Sequence, residues 1–360
     1  MSSEATMQRD RVARAPAYGL VRAWLLFVAL LVLAMVVVGG ATRLTDSGLS
    51  ITEWKPILGA IPPLTDADWQ VAFAKYKEIP EYKIVNKGMS LSDFKVIYWW
   101  EWGHRFLGRI IGLAFALPLA FFWMTGRLRH GLAPKLLGLL ALGGLQGFVG
   151  WYMVQSGLVE RVDVSQYRLA LHLTIAFAIL ALLVWLALDL GRDDGAIRFR
   201  TLSGGQWMNA HVLLALLFVQ VVLGAFVAGT KAGLVYNTWP LMDGRLLPEG
   251  MAHLSPWYLN LTENLGVIQL NHRLLAYVLL ALALWQAASI ARSADDDGLV
   301  RSALVLAAGT LVQAGLGIAT LLGAQGGIPI GLGLFHQGGA AALLAIAVWH
   351  LHAVRRAGAA

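Results

Sequence analysis

Long runs of apolar residues, separated by shorter polar segments, make up most of the chain. A helix crosses the hydrocarbon core of a bilayer with about 20 predominantly apolar residues. The pattern predicts eight such spans, at about 21–41, 99–124, 134–155, 168–189, 207–229, 266–290, 300–323 and 332–353. We therefore expect an all-α integral membrane protein with eight transmembrane helices.

The polar segments on one side of the predicted bundle are longer than those on the other. Two of them, 42–98 and 230–265, fall on the same side when eight helices are threaded through a membrane. In the first, Thr65 precedes acidic residues suited to a first helical turn, and apolar residues then recur at helical spacing: Trp69, Phe73 and Tyr76. This pattern predicts a short amphipathic helix on the outer surface. Ser90 and Asp93 form the S-x-x-D pattern of a capping box, which would start a helix leading into the second span.

Charged residues are scarce and unevenly distributed. Only 14% of the residues are charged, against roughly 25% in an average soluble domain. The net charge is +7, and the two tails and three connections are basic: Arg127–Arg129, Arg192 to Arg200 and Arg292 to Arg301. Short Lys/Arg-rich segments stay in the cytoplasm, so both termini are expected there, and nothing indicates nucleic-acid binding. No A-x-A-like cleavage site closes the first apolar run, so we expect it to be retained as a helix.

Cysteine is absent from the sequence. Its absence excludes disulfides, thiolate haem ligands and iron–sulfur clusters. Any metal chemistry must therefore use histidine, methionine, tyrosine or carboxylate side chains.

The second half of the sequence repeats landmarks of the first half. The segments Gly48–Trp54 and Gly233–Trp239, which follow spans one and five, have the same Gly-to-Trp spacing. Further matches join the remaining spans in pairs: Glu101–Arg105 with Gln269–Arg273, Gln146 and Gly150 with Gln313 and Gly317, and Leu171-His172 with Phe335-His336. We interpret residues 1–200 and 201–360 as two copies of a four-helix bundle. The copies would be parallel, because each has an even number of helices.

Four of the nine histidines lie near the start of the even-numbered spans: His104, His172, His272 and His336. These spans all start on the outer side, so the four rings are expected at a common depth in the outer leaflet. A single buried histidine is as often a hydrogen-bond partner between helices as a ligand, but four at equivalent positions favour paired ligation. We assign no role to the other five, which are His130, His211, His253, His350 and His352.

Two histidines in each bundle suit haem iron better than other metals. A closed zinc site needs four protein ligands, and copper sites usually add Cys or Met, whereas haem iron needs only two axial imidazoles. Nearby small residues would fit a flat macrocycle or, equally, allow close helix packing; they are Gly103, Gly108, Gly112, Gly338 and Gly339. Guanidinium groups near the outer surface are candidate partners for haem propionates, with snorkelling to the interface as the alternative; they belong to Arg105, Arg109 and Arg273.

The most informative difference between the repeats is Glu101 in the first, where the second has Gln269. Glu101 precedes His104 by three residues, so both side chains project from one face of the helix. A carboxylate beside iron can move protons or stabilise a developing cation. Alternatively, Glu101 lies at the interface and pairs with Arg105 or Lys95. We predict that the first half holds the reaction site and that the second half holds an electron-transfer or structural haem.

With these features, the chain resembles the haem A synthase family over nearly its whole length. The resemblance consists of eight spans in two repeats, four helix-start histidines and three motifs: E-x-x-H-R at Glu101–Arg105, N-H-R at Asn271–Arg273, and the segment Thr42–Ser50. It implies oxidation of a methyl group of haem O to a formyl group, through a hydroxymethyl intermediate, to give haem A. The four histidines would then bind iron in two haems: substrate haem at His104 and His172, and a haem b cofactor at His272 and His336.

The resemblance also implies a catalytic residue, partners and a location. Glu101 matches the catalytic glutamate of the family. Candidate partners are haem O synthase, assembly factors of cytochrome oxidase and a second copy of the chain within the lipid bilayer; the electron donor is not indicated. The expected location is the bacterial inner membrane, with the haem sites toward the outer, periplasmic leaflet. Some members carry paired cysteines in the outer loops, and this cysteine-free chain is similar to the branch found in proteobacteria and mitochondria.

Two other functions are compatible with paired histidines. A di-haem b-type cytochrome that oxidises quinol would use all four ligands and leave both haems chemically unaltered. A haem transporter or chaperone would bind haem loosely and also leave it unaltered. Neither requires a carboxylate beside one haem only, so Glu101 favours the enzyme.

Overall fold

The computed structural model describes residues 2–55, 57–160, 162–191, 202–294 and 296–358. Its α-helices are α1 (Ser2–Leu44), α2 (Asp66–Tyr76), α3 (Pro80–Ile84), α4 (Leu91–Met124), α5 (Leu132–Glu160), α6 (Gln166–Leu190), α7 (Gly204–Gly229), α8 (Leu265–Ser293), α9 (Asp297–Leu322) and α10 (Ile330–Gly358). Except for α2 and α3, each contains a segment long and apolar enough to cross a membrane. The prediction of an all-α membrane protein with eight spans is confirmed.

Local capping determines where the helices around the first outer loop begin. The Ser90 hydroxyl accepts a hydrogen bond from the N–H of Asp93, and the Asp93 carboxylate accepts one from the N–H of Ser90, which confirms the predicted capping box. Because of this cap, α4 begins at Leu91, about two turns before the predicted start of the second span near residue 99. Thr65 and Asp68 form the same arrangement at the start of α2.

The predicted division into two bundles assigns α1 and α4–α6 to the first half and α7–α10 to the second. The basic connection Arg192 to Arg200, next to the boundary between 1–200 and 201–360, lies outside the described residues. The division therefore stays a prediction.

Four helices form the seam between the two halves. α1 and α6 pack against each other and against α10, and α7 packs against α6 and α10. α4 and α5 lie on one side of this seam, and α8 and α9 lie on the other. The apolar core runs through both halves, and its most buried residues include Leu25, Phe177, Leu306 and Leu344. The two outer pairs differ, because α8 packs closely against α9 whereas α4 packs only lightly against α5.

The segment between α1 and α4 covers the start of α4 and the end of α5. Apolar side chains of α2 are buried against Phe94 and Ile97 of α4, and the rings of Phe73 and Phe94 stack with centroids 5.0 Å apart. Residues of α5 pack against the same group: Met153, Val154 and Leu158. The predicted amphipathic helix is therefore present, but its apolar side packs on protein. We call this group the outer aromatic cluster; its buried members are Leu49, Trp69, Phe73, Tyr76, Ile79, Phe94, Ile97 and Val164.

An ion-pair network joins the two halves near the ends of α1 and α7. Arg43 lies 3.0 Å from Asp46 and 3.3 Å from Asp163, which precedes α6. Lys231, which follows α7, lies 3.3 Å from Asp46 and 3.6 Å from Asp163. Arg43 also donates to the carbonyl group of Ala228 in α7. Partly exposed ion pairs contribute only about 0–1 kcal/mol each, so this network fixes the relative position of the segments more than it stabilises the fold.

Glu81 in α3, within the segment between α1 and α4, is a buried carboxyl group. The residue is 4% exposed, and its Oε2 atom has no hydrogen-bond partner among the described residues. Burial, together with the charge of Glu101, raises the pKa of Glu81 to about 8. The folded protein therefore favours the protonated form of this side chain at neutral pH.

The raised pKa of Glu81 makes the stability of the fold depend on pH. Below about pH 4.5 the group is protonated in both the folded and the unfolded chain, and between about pH 4.5 and about pH 8 only the unfolded chain ionises. The free energy of unfolding should therefore fall as the pH rises through this window, by about 1.4 kcal/mol for each pKa unit. Glu81→Gln should remove the fall, measured as the apparent Tm in detergent across the window. The control is Glu78→Gln at an exposed position; a Glu81→Gln variant that keeps the wild-type pH profile would contradict the assignment.

Candidate functional site

The four histidines predicted as ligands lie on four different helices. His104 is on α4, His172 on α6, His272 on α8 and His336 on α10. The last three lie in the first third of their helices, whereas His104 lies farther along because α4 begins at Leu91, before the predicted span at 99–124. Within the part of the chain that the structure describes, no group of three or more His, Cys, Asp or Glu side chains could hold a metal ion. The arrangement is therefore consistent with sites of two protein ligands each.

Each of these rings packs against a glycine on the transmembrane helix that precedes it in the chain. A Cβ atom on the glycine would lie 2.9 to 3.2 Å from the nearest ring atom in the four pairs, Gly39 with His104, Gly150 with His172, Gly224 with His272 and Gly317 with His336. A larger side chain would displace the ring, so the close approach of ring and helix requires glycine. The same contact at four equivalent places supports the interpretation of a repeat.

The second pair of histidines has a spacing that fits one metal ion between two imidazoles. The ring centroids of His272 and His336 are 6.3 Å apart. Two metal–nitrogen bonds of about 2 Å, each extended by roughly 1 Å to the ring centroid, give a separation of about 6 Å. The Nδ1 atom of His272 is buried and has no hydrogen-bond partner among the described residues. The residues at this site therefore fit a haem with two axial histidines.

A glutamine lies beside three of the four rings. The amide nitrogens of Gln146, Gln220 and Gln313 lie 3.0 to 3.4 Å from ring nitrogens of His172, His272 and His336, respectively. Gln220 and Gln313 also donate to the backbone carbonyl group of the histidine they contact. Gln220 and Gln313 thus join both the ring and the backbone of their histidine to the preceding transmembrane helix.

Three residues in these contacts escaped prediction from the sequence: Gln220, Gly39 and Gly224. Gln146 and Gln313 were recognised only as landmarks of the repeat. The available signal was the pattern Q-x-x-x-G, which recurs in spans three, five and seven as Gln146–Gly150, Gln220–Gly224 and Gln313–Gly317. In α1, Met35 stands four residues before Gly39, where the other three helices have glutamine.

Glu101 is buried in α4, with an exposed fraction of 2%. Its Oε2 atom accepts hydrogen bonds from the Ser50 hydroxyl and the Ile51 N–H, both at 2.7 Å. Its Oε1 atom accepts a hydrogen bond from Arg105 at 2.5 Å. Each of these partners is a donor, which suits a carboxylate. Of the two basic partners considered for a purely structural role, Arg105 pairs with Glu101, whereas Lys95 lies near an acidic residue of α2.

Gln269 occupies the equivalent place in the second half with the opposite hydrogen-bonding pattern. Its amide nitrogen donates to the carbonyl groups of Ala232 at 3.1 Å and Tyr236 at 3.2 Å. Its amide oxygen accepts a hydrogen bond from Arg273 at 3.1 Å. Both side chains thus join their helix to the loop after the preceding odd-numbered span, but the first loop presents donors and the second presents acceptors. Each loop therefore offers the hydrogen-bonding groups that suit the side chain of its own half, donors for the carboxylate of Glu101 and acceptors for the amide of Gln269.

The three arginines predicted to contact propionates differ in their partners. Arg105 donates to Glu101 and to two carbonyl groups of the first loop. Arg109 donates to the carbonyl group of Lys55 at 3.1 Å. Arg273 donates through Nη2, while its buried Nε and Nη1 atoms have no hydrogen-bond partner among the described residues. Buried guanidinium donors without a partner suit a carboxylate ligand, so Arg273 fits a propionate contact best.

The small residues predicted near the macrocycle fall into two groups. Gly338 and Gly339 allow close helix packing, because a Cβ atom at Gly338 would lie 3.0 Å from a side chain of α1 and one at Gly339 would overlap Gln313. A Cβ atom at Gly103 or Gly112 would meet no neighbouring atom within 4 Å. Gly103 and Gly112 of α4 therefore border open space, a Cβ atom at Gly108 would lie 3.5 Å from Met35 of α1, and Gly338 and Gly339 of α10 are part of the packed seam.

Four of the histidines left without a role have hydrogen-bond partners within the protein. His350 lies between Gln286 at 3.1 Å and Ser302 at 2.9 Å, and His352 lies 3.1 Å from Asp189. His211 and His253 contact carbonyl groups in their own segments. The first two link transmembrane helices, which is a common use of polar residues in membranes.

These observations define a class of protein: a multi-pass membrane protein that holds four histidines against glycines between its transmembrane helices. The family described as cytochrome oxidase assembly protein, COX15-CtaA, matches residues 22–348. The chain belongs to this family.

Individual relatives match nearly the whole chain. A protein of Chelativorans sp. (strain BNC1) is 54% identical over 338 residues, which cover 94% of this chain and 91% of the relative. A protein of Parvibaculum lavamentivorans is 51% identical over 329 residues, which cover 91% and 92%. A protein of Brucella ovis is 48% identical over 360 residues, which cover 100% and 97%. All three are named "Heme A synthase".

The glycine contacts predict which substitution affects which site. Gly317→Val should displace His336 and remove haem from the second half, whereas Gly150→Val should displace His172 and affect the first half only. Haem per chain and the Soret spectrum of the purified variants measure the outcome. Gly138→Val is the matched control, because a Cβ atom there meets no neighbouring atom within 4 Å. Wild-type haem content in Gly317→Val would contradict the assignment.

Proposed function

We propose that this protein is a haem A synthase, an oxidoreductase that converts a methyl group of haem O to the formyl group of haem A. Relatives with this name that are 48% to 54% identical over nearly the full chain support the proposal. Within the molecule, the observation that carries it is Glu101, a buried residue three positions before His104 that only the first half has. Electron transfer or haem transport alone gives no reason for a carboxylate in one half only.

The proposed ligands divide the protein into a catalytic half and a cofactor half. His104 and His172 would hold the substrate haem in residues 1–200, and His272 and His336 would hold haem b in residues 201–360. The 6.3 Å spacing of the second pair supports the haem b site. When bound, haem iron supplies the redox chemistry, and the side chains of the protein position the reacting groups.

Glu101 would act as a fixed negative charge beside the substrate. Hydrogen bonds from the Ser50 hydroxyl, the Ile51 N–H and Arg105 hold both of its oxygens. Such a group does not reorganise when positive charge develops nearby, so it stabilises that charge more effectively than water does. Its second role, accepting a proton at Oε2, would require the Ser50 hydroxyl to turn away, because Oε2 already accepts two hydrogen bonds.

In the second half, the side chains would hold a resident haem in one orientation. Gln220 and Gln313 brace His272 and His336. Arg273 would bind a propionate through its unpartnered Nε and Nη1 atoms. Arg105 and Arg109 hold the first loop over the substrate site, and we propose them as further propionate contacts in the first half. Gln269 is uncharged, which suits a haem that holds an electron and is not itself chemically modified.

The protein is a multi-pass membrane protein, and we propose the bacterial inner membrane as its location. Basic residues at Arg127–Arg129 and Arg292 to Arg301 favour the cytoplasm for those connections and for both termini. The histidines would then lie toward the periplasmic leaflet. Haem O synthase as the supplier of substrate and assembly factors of cytochrome oxidase as acceptors of product are the protein partners that we propose.

Extraction of bound haems separates the synthase from a di-haem electron carrier, the second candidate that the His272–His336 spacing supports. Protein purified from cells that make haem O should contain haem B together with haem O or its oxidised products. Acidic organic extraction followed by mass spectrometry identifies each haem. Unmodified haem B as the sole pigment, in cells that contain haem O, would favour the carrier and contradict the proposed reaction.

Glu101→Gln should leave both haems bound but lower haem A formation by about 10²-fold or more, because the fixed charge is lost. Product is measured by chromatography of extracted haems, and binding by the Soret spectrum. The matched control is Ser50→Ala, which removes one hydrogen bond to Glu101 but keeps the carboxylate. Its activity should fall much less. Normal haem A formation in Glu101→Gln would rule out the catalytic assignment, and equal losses in both variants would indicate that loop geometry matters rather than charge.

A further inference from the structure

The two halves differ in the spacing of their outermost helices. α8 packs closely against α9, but α4 packs only lightly against α5. Both α4 and α5 lie outside the seam of α1, α6, α7 and α10. The opening between them, which we call the α4–α5 gap, therefore faces the bilayer.

Glycines line both walls of the α4–α5 gap. Gly108 and Gly112 lie about one and two turns beyond His104 on the same face of α4, and Gly143 and Gly147 lie on the face of α5 that contacts the histidine of α6. All four are exposed, and a Cβ atom at Gly112, Gly143 or Gly147 would meet no neighbouring atom within 4 Å. The equivalent residues of the second half are larger and none is exposed: Ala276, Leu280, Thr310 and Ala314.

The α4–α5 gap is closed at its outer end. The outer aromatic cluster bridges α2, α4 and α5 there, and its members Trp69 and Tyr76 are 7% and 0% exposed. A ligand from the outer solution would have to displace this cluster. A ligand already dissolved in the bilayer would meet only the glycine-lined opening.

Buried polar atoms without hydrogen-bond partners lie beside the proposed ligands in both halves. Among the residues that the structure describes, they are Nδ1 of His172 and Oε1 of Gln146 in the first half, and Nδ1 of His272 and the Oε1 atoms of Gln220 and Gln313 in the second. Buried polar atoms without partners are rare in folded proteins, because each costs free energy. Both halves therefore suit a ligand with a polar centre, and the exposed glycines of the first half add space for a long apolar chain.

We propose that the α4–α5 gap binds the farnesyl chain of haem O and admits this substrate sideways from the bilayer, an inference that rests on the proposed function. Haem O carries its farnesyl chain on the edge of the ring away from the two propionates. With the propionates toward the outer surface, the chain extends along Gly112 and Gly143. It then stays in apolar surroundings throughout binding and is never exposed to water.

The same feature explains how the two halves would select different haems. At the equivalent positions, the second half has Leu280 and Thr310 between closely packed helices. These side chains occupy the space that a farnesyl chain would need. The second half therefore suits a haem without the chain, such as haem b, and the first half suits haem O.

Filling the α4–α5 gap tests the proposal. In Gly143→Leu and in Gly112→Leu, the affinity for haem O should fall at least about tenfold, whereas the affinity of the first half for haem B, which lacks the farnesyl chain, should stay unchanged. Both affinities are measured by absorbance titration of the full chain in nanodiscs with its second-half haem in place. The matched control is Gly138→Leu, about 140° around α5 from Gly143, where a Cβ atom also meets no neighbouring atom; it should change neither affinity.

Unchanged affinity for haem O, or equal loss of affinity for both haems, would overturn the proposal. Retained haem B binding shows that a variant has folded, and Gly147→Leu on the same wall replaces a variant that does not assemble. The outcome is independent of turnover. If the wild type binds haem O through its farnesyl chain but forms no haem A, the proposed function fails and the binding site stands.

Discussion

The contact between an imidazole ring and a glycine on the preceding transmembrane helix determines the spacing of the bundles. Lipid chains are as apolar as the side chains they replace, so helices in a membrane associate through close packing and polar contacts rather than through hydrophobic burial. Gly39, Gly150, Gly224 and Gly317 let four rings fit between helices at van der Waals distance. Helix positions, histidine orientation and the glutamine contacts all depend on these four approaches.

The two halves share one arrangement of helices but differ in the chemistry of their equivalent side chains. Where Glu101 accepts hydrogen bonds from a hydroxyl and an N–H, Gln269 donates to two carbonyl groups. The loop that contacts each side chain differs as well, since one loop presents donors and the other presents carbonyl acceptors. The negative charge in the first half is therefore matched by the groups around it. The outer helices differ in the same sense: α8 and α9 are closely packed, and α4 and α5 are separated.

The sequence was sufficient for the features that depend on local pattern. Apolar run length predicted the eight spans, and the capping pattern at Ser90 predicted the start of α4. Contacts between segments that are far apart along the chain could not be predicted from the sequence. Gly39 and Gly224 look like ordinary membrane glycines until their helices are placed opposite the histidines. Similarly, the apolar face of α2 has the same period whether it lies on lipid or on Phe94, and only the tertiary packing separates the two.

The seam of α1, α6, α7 and α10 has a mechanical consequence. It carries the dense packing between the halves, and the charges of Arg43, Asp46, Asp163 and Lys231 fasten it near the ends of α1 and α7. α4 packs against α1 and α5 packs against α6, and both make few contacts with the second half. A displacement of α4 or α5 would therefore disturb few contacts with the second half. Under the proposed function, entry of haem O beside α4 and α5 would therefore leave the packing around His272 and His336 undisturbed.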